Sequence, residues 1–206
     1  MPLAMPAAKV LRVLPKWLLL LGLLASCSST NSNAPVNLKA GLPVGAVLSL
    51  TGNANVYGQD QRIGLELAQA AFKPGSSMPL NLSIEDGGSD EAGAINAFNL
   101  LINRGSAALI GPTLSQQAFA ASPIAQRRGV PVVAPSNTAT GIPELGNFIS
   151  RVSAQSIVIA PLSIAKALQL NPAIKRVAVF YANDDAYSTS ETAIFQKAIK
   201  AKGLNA

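Results

Sequence analysis

The chain has 206 residues, 49% apolar and only 13% charged, which excludes a disordered polyelectrolyte and leaves ample apolar material for a core. Sixteen Lys and Arg against ten Asp and Glu give a formal charge of +6, but Lys9, Arg12 and Lys16 sit ahead of an apolar run near the start, and without these three the charge is only +3; no basic stripe for nucleic acid is present. Histidine is absent and Cys27 is the single cysteine, which excludes Ser-His-Asp and Cys-His nucleophiles, nearly every zinc catalyst and an internal disulfide.

Residues 1–26 have the order of an export signal. The positive section precedes the apolar run Trp17 to Ala25, which is shorter than the roughly 20 residues a membrane-spanning helix needs. It ends in Leu24-Ala25-Ser26-Cys27, which resembles the lipobox of bacterial lipoproteins. The resemblance implies that Cys27 is lipidated, that the leader is removed before it and that the new amino terminus is acylated. Two or more acyl chains anchor firmly where one holds only marginally. The alternative is an ordinary signal peptide with an incidental cysteine. Ser28 to Pro35 is polar and small and reads as a tether, so 27–41 is taken as lipidated cysteine plus linker. The globular part is expected to be exported and held on the periplasmic or cell-surface side of a membrane.

From residue 44 short apolar runs alternate with stretches of helical period. Val44 to Leu50 reads as a buried strand. A helix over 57–72 follows, with Ile63, Leu67, Ala70 and Ala71 on its apolar face, and Lys73-Pro74-Gly75 stops it. Leu80 to Ile84 alternates as a strand. Ser89 is placed to cap a helix whose stripe is Ala94, Ile95, Phe98, Leu101 and Ile102. Strands at 107–110, 130–134 and 148–152 flank a helix over 115–128 that Gly129 ends. A helix over 153–170 with Ile157, Leu162, Ala165 and Leu168 inward, a strand at 177–181 and a helix over 188–202 complete the pattern. Ser188-x-x-Glu191 has capping-box spacing. Strands separated by helices predict an α/β fold with a mostly parallel sheet, and the continuous apolar strands predict cover on both its faces.

The order of several loops resembles the bacterial solute-binding proteins of the branched-chain amino acid transporter type. The matching stretches are Gly45 to Gly52, Tyr57-Gly58, Glu85-Asp86 with Asp90-Glu91-Ala92, Leu109-Ile110-Gly111-Pro112 into Ser115, Val130 to Thr138, Phe148 to Arg151, and Val179-Phe180-Tyr181 with Asp184 to Tyr187. The resemblance implies two parallel-sheet βαβ lobes of the periplasmic-binding-protein type, with lobe one at 42–147 mostly present and lobe two at 148–206 incomplete. It implies a small-molecule ligand, an amino acid or related amide, and an ABC transporter permease as partner; no cofactor, metal or nucleic acid is expected, the last two from composition.

Ligands of open parallel sheets sit at the carboxyl ends of strands. Ser115 opens a helix there, and its hydroxyl with the first backbone N–H groups makes a carboxylate site; the alternative is a plain helix cap by Ser115 or Thr113. Pro135-Ser136-Asn137-Thr138 follows the next strand, where Thr138 can donate to the carboxylate and a carbonyl at Ser136 or Asn137 can accept from an ammonium; as bare sequence it is a turn. In the family, tyrosines at the places of Tyr57 and Tyr187 close over the ligand from opposite lobes; half-buried rings at helix starts are the alternative. Asp86 and Asp90 read as a turn into a capped helix rather than a metal or acid–base pair, and Asp184-Asp185 as a solvated loop.

The chain stops where the next strand of lobe two is expected, which predicts an unpaired sheet edge and a marginal or aggregation-prone fragment unless another chain completes it. Two other readings are carried: a lipoprotein of the same fold that regulates a cell-wall enzyme without binding solute, and an enzyme on a Rossmann-like sheet. Ser49 to Asn55 lacks a G-x-G-x-x-G run and no G-x-x-x-x-G-K-[ST] occurs, which disfavours the enzyme.

Overall fold

The computed structural model describes residues 41–72 and 79–205. The leader, Cys27, the tether and the helix stop at Lys73-Pro74-Gly75 lie outside the described residues. Five parallel strands form one sheet in the order β2-β1-β3-β4-β5: β1 (Leu42–Leu48), β2 (Leu80–Asp86), β3 (Ala108–Ile110), β4 (Val132–Ala134) and β5 (Ile149–Arg151). The register sets Val44 between Leu82 and Ala108, and Leu109 beside Val132. The helices are α1 (Asn55–Ala71), α2 (Glu91–Asn103), α3 (Ser115–Arg128), α4 (Ser156–Leu170) and α5 (Ala186–Ala201), with a short 3₁₀ turn at Pro143–Leu145.

Right-handed crossovers set α1 on one face and α2 and α3 on the other, because the chain reverses direction across the sheet at β1. The α2–α3 face is the core. Phe98 and Leu101 of α2 and Ala118, Ala121 and Ala125 of α3 are buried against Val47, Leu109, Val132 and Ile149. The alanines recur on one side of α3 and let it lie close to the sheet, and Gly129, in the left-handed region at φ 66°, ends that helix as its sequence position predicts. Asp90, rather than Ser89, caps α2 by accepting the Gly93 N–H at 2.8 Å. Ser89 instead accepts from Ala54 N and donates to Thr51 O, tying the β1–α1 loop to the turn after β2.

The other face departs from the sequence expectation. Ile63 and Leu67 are 50% and 67% exposed, so the apolar stripe of α1 points to solvent and its more buried side carries Gly58, Gln61, Leu65 and Gln69. Polar anchoring explains the reversal. Gln59 donates to Leu50 O and Gln69 to Leu80 O, and a Cβ at Gly58 would stand 2.0 Å from the Ser49 carbonyl oxygen, so α1 meets the strand ends backbone to backbone. Only β1 is buried along most of its length, while β2 and β4 alternate; cover on both faces is therefore confined to the centre of the sheet.

A second cluster gathers Ala160 and Ile164 of α4 with Ala198, Ile199 and Leu204, with Val177, Val179 and Phe195 against it. The inward side of α4 is Ser156, Ala160 and Ile164, not Ile157, Leu162 and Ala165, which are exposed. This helix is apolar nearly all round, so periodicity does not select a face. The strand expected at 177–181 makes only a single bridge, between Arg176 and Asn205, and Phe180 is 94% exposed; Asn205 is its one pairing partner among the described residues. Residues 149–151, assigned from sequence to lobe two, are β5 of the first sheet, and Ile149 belongs to its core.

Asp86 closes β2 and binds the loop after β1. Its Oδ1 accepts the N–H groups of Leu50, Thr51 and Gly88, and its Oδ2 accepts the Thr51 hydroxyl at 2.6 Å. Partial burial opposes ionisation, but the four donors outweigh it and hold the carboxyl below the usual carboxylate range. Folding stability from this group is therefore full above the unfolded value near about 3.9 and disappears as pH falls through the lower folded value. Asp86→Asn is expected to lose stability at neutral pH and to show a shallower stability decline on acidification in urea melts followed from neutral pH to about pH 3.

Candidate functional site

The strand order reverses between β1 and β3, which opens a crevice beyond the carboxyl ends of the strands. A cavity of about 340 Å³ lies there, lined by Tyr57, Thr113, Leu114, Ser115, Ser136, Thr138, Asp185 and Tyr187. Five of the six ligand residues expected from sequence thus share one cavity. Its lining contains no Lys or Arg, and Asp185 is its acidic member.

Gln117 holds the crevice together. The side chain is fully buried. Its oxygen accepts Leu114 N–H at 3.1 Å and the Ser49 hydroxyl at 3.3 Å, and its amide nitrogen donates to the carbonyls of Gly87, Gly88 and Asp90 at 3.0–3.2 Å. One amide therefore joins the end of β1, the turn after β2 and the start of α3. Thr113 adds a second tie: its oxygen accepts Ser49 N–H at 2.9 Å and its hydroxyl donates to Gln61 Oε1 at 2.7 Å. Gln61 in turn donates to Ser136 Oγ, whose hydroxyl donates to Thr113 O at 2.6 Å. The hydroxyls of Thr113 and Ser136 line the cavity but are spent on this chain.

Ser115 differs. It opens α3, it is buried, and its oxygen receives only a 3.5 Å contact from Ala139 N, which leaves its hydrogen uncommitted among the described bonds. The first N–H groups of α3 lack carbonyl partners within the helix and bring the positive end of its dipole to the cavity. Thr138 faces the cavity from the β4 side and donates to Glu191 Oε1 at 3.0 Å. Tyr57, in the first turn of α1, and Tyr187, in the first turn of α5, are exposed rings at the cavity edge. Burial first, then the nearby carboxylates of Glu191 and Asp185, push the Tyr187 phenol above its ordinary value.

Asn137 is the exception to the expected set. Its side chain donates to Thr113 O, and its carbonyl accepts from Arg151 Nη1 at 3.1 Å and Ser153 Oγ at 2.9 Å. It is fully buried and lies outside the cavity lining, so it fixes the turn and has no carbonyl to offer an ammonium. The sequence reading missed Gln61, Gln117, Asp185 and Glu191. Gln117 stands at the third helical position, where an amide reaches back to the cap, but Leu114 at the cap hides the pattern. Asp185, not Ser188, caps α5 by accepting Ser188 N–H at 2.6 Å, which frees Glu191 from the capping box.

Replacing Gln117 by Leu keeps its bulk but leaves the Leu114 N–H and the carbonyls of Gly87, Gly88 and Asp90 without this partner, at about 1–3 kcal/mol for each that stays dry. The expected outcome in urea melts is a loss of several kcal/mol, or failure to fold cooperatively.

The model of a family described as periplasmic binding proteins matches residues 41–206. A search of curated proteins finds no match. Among solved structures, a leucine-binding protein LivK from Thermotoga maritima superposes with a TM-score of 0.74 at 25% identity, over 80% of this chain and 47% of that one. The branched-chain amino acid transporter substrate-binding protein LivJ from Streptococcus pneumoniae, in complex with isoleucine, gives 0.68 at 22% identity over 77% and 46%. A solute-binding protein of an ABC transporter from R. palustris, in complex with 4-hydroxybenzoate, gives 0.67 at 22% identity over 80% and 45%. The chain spans about half the length of these structures, which are solute-binding proteins rather than enzymes. With a five-stranded parallel sheet, a crevice at its switch point and a family match over residues 41–206, this chain belongs to the periplasmic binding protein family.

Proposed function

We propose that the cavity takes the head group of an amino acid or similar small zwitterion, in an extracytoplasmic receptor that delivers solute to an ABC importer. The observation that carries this reading is the placement of the Ser115 and Thr138 hydroxyls on one cavity with the amino-terminal end of α3. Hydroxyl and backbone donors at a helix start suit a carboxylate without a counter-cation. Asp185, on the same cavity, suits an ammonium and repels a plain acid, so the lining favours a zwitterion over a benzoate. Tyr57 and Tyr187 supply apolar walls for an aliphatic side chain, and about 340 Å³ is of the size of small-ligand pockets.

The same reading includes a division into lobes, the first extending to β5, with α4 and α5 beginning the second. Ligand held between Ser115 and Thr138 on one side and Tyr187 on the other would favour a closed arrangement and shift the population toward it by hinge closure. Removal of the leader, lipidation of Cys27 and membrane anchoring, supported by the lipobox resemblance, complete it.

Titration calorimetry with leucine, isoleucine and 4-hydroxybenzoate tests the proposal. Binding of the two amino acids above the benzoate is expected, and Ser115→Ala or Thr138→Val is expected to weaken it about 10- to 100-fold, the range of a hydrogen bond to a charged group. Uniform silence, or affinities unchanged in both variants, would refute it.

A further inference from the structure

Glu191 is not part of the cavity lining, yet it controls a group that is. The Thr138 hydroxyl has one hydrogen, and that hydrogen points at Glu191 Oε1, 3.0 Å away. Ser156, at the start of α4, donates its hydroxyl to the same oxygen. A ligand carboxylate reaching Thr138 from the cavity therefore competes with a carboxylate of the protein for a single donor. Two anions flanking one hydroxyl repel each other, and only one can accept from it.

We propose that capture of a ligand carboxylate at Thr138 draws a proton onto Glu191, so that the hydroxyl accepts from Glu191 and donates to the ligand. The reading rests on the carboxylate site proposed above. The balance is simple: one proton passes from solvent to Glu191, the Thr138 hydroxyl rotates, and no covalent bond to carbon changes. The protonated acid replaces the hydrogen bond it gives up, and all three groups keep a partner.

The surroundings of Glu191 suit this role. Arg151 on β5 favours its charge, as does the Thr138 donor, but burial outweighs both and holds the carboxyl above its usual range. Asp185 and Tyr187 of its own helix face the first cavity. Glu144 of the 3₁₀ turn and Lys197 of α5 line, with Arg151, Thr138 and Ser156, a second cavity of about 400 Å³. α4 brings Ser156, an uncharged donor. Glu191 is thus bonded to Thr138, which lines both cavities, and lies one helical turn from Tyr187; α5 is held to the same loop by Thr140 N–H and hydroxyl contacts with Ser190.

The test is calorimetry of the full chain with isoleucine at about pH 5.5, 6.5 and 7.5, each in two buffers of different ionisation enthalpy. Net proton uptake is expected, with affinity falling by up to about tenfold per pH unit across the window between the free and bound values of Glu191. Glu191→Gln, whose amide donates to Thr138 permanently, is expected to bind without uptake and with a flat pH profile, as tightly at high pH as the unaltered chain binds at low pH. Thr138→Val is expected to abolish uptake, which keeps the test decisive should the Gln variant fail to fold. Binding without proton uptake, or the same uptake in Glu191→Gln, would overturn this inference and leave the carboxylate site standing. Silence toward every ligand would overturn both.

Discussion

A dry amide group sets the shape of the crevice. Gln117 spends its oxygen and nitrogen on three loops that the chain reaches at residues 49, 87–90 and 114, and each of those loops ends a strand of one sheet. Buried amides are costly unless satisfied, so the loops and Gln117 require each other: displace one and a polar group is left in a dry place. Asp86 repeats the device closer to solvent, gathering N–H groups of the β1 loop and of its own turn. The polar groups of Ser49, Asp86, Gly87, Gly88 and Leu114 are spent on one another rather than on solvent, which favours a pre-organised site.

Within that frame the hydroxyl groups divide by what they are free to do. Thr113 and Ser136 close a ring of hydrogen bonds through Gln61 and present only their carbon atoms and spent oxygens to the cavity. Ser115 and the first turn of α3 retain donors. Thr138 retains one on condition, because its hydrogen serves Glu191. On the reading proposed above, a ligand carboxylate would find donors on the α3 side directly and on the β4 side only in exchange for the Thr138–Glu191 bond. The same lining holds Asp185 and no Lys or Arg, which is why a zwitterion is proposed rather than a plain acid.

Much of this was legible in the sequence, for identifiable reasons. The strands and helices of the core follow from strong periodicity: the α2 stripe at Ala94, Phe98 and Leu101 is buried as its spacing requires. Ser115 and Thr138 meet on one cavity because loops after consecutive parallel strands open on one side of the sheet, whereas the places of Tyr57 and Tyr187 came from the family resemblance and not from strand-end geometry. The failures are equally physical. Ile63 and Leu67 form an apolar stripe, yet α1 meets the sheet through Gly58 and its glutamines, because backbone contact at Ser49 decides how the helix lies. The stretch 177–181 has strand composition but needs neighbours to become a strand. Asn137 looked like a ligand residue because it lies between Ser136 and Thr138, whereas a turn sends its groups inward to Thr113, Arg151 and Ser153. Glu191 was hidden by local logic, since a capping box is a nearer explanation than a contact with a residue 53 positions away.

The account stands on the convergence of Ser115 and Thr138 upon one bound head group. A crystal structure of the protein grown with isoleucine measures this directly. The amino acid is expected in the crevice, its carboxylate within hydrogen-bond distance of the Ser115 hydroxyl, the α3 amino-terminal N–H groups and the Thr138 hydroxyl, with Thr138 still within hydrogen-bond distance of Glu191. Isoleucine bound elsewhere, or held in the crevice with its carboxylate away from both hydroxyls, would contradict it.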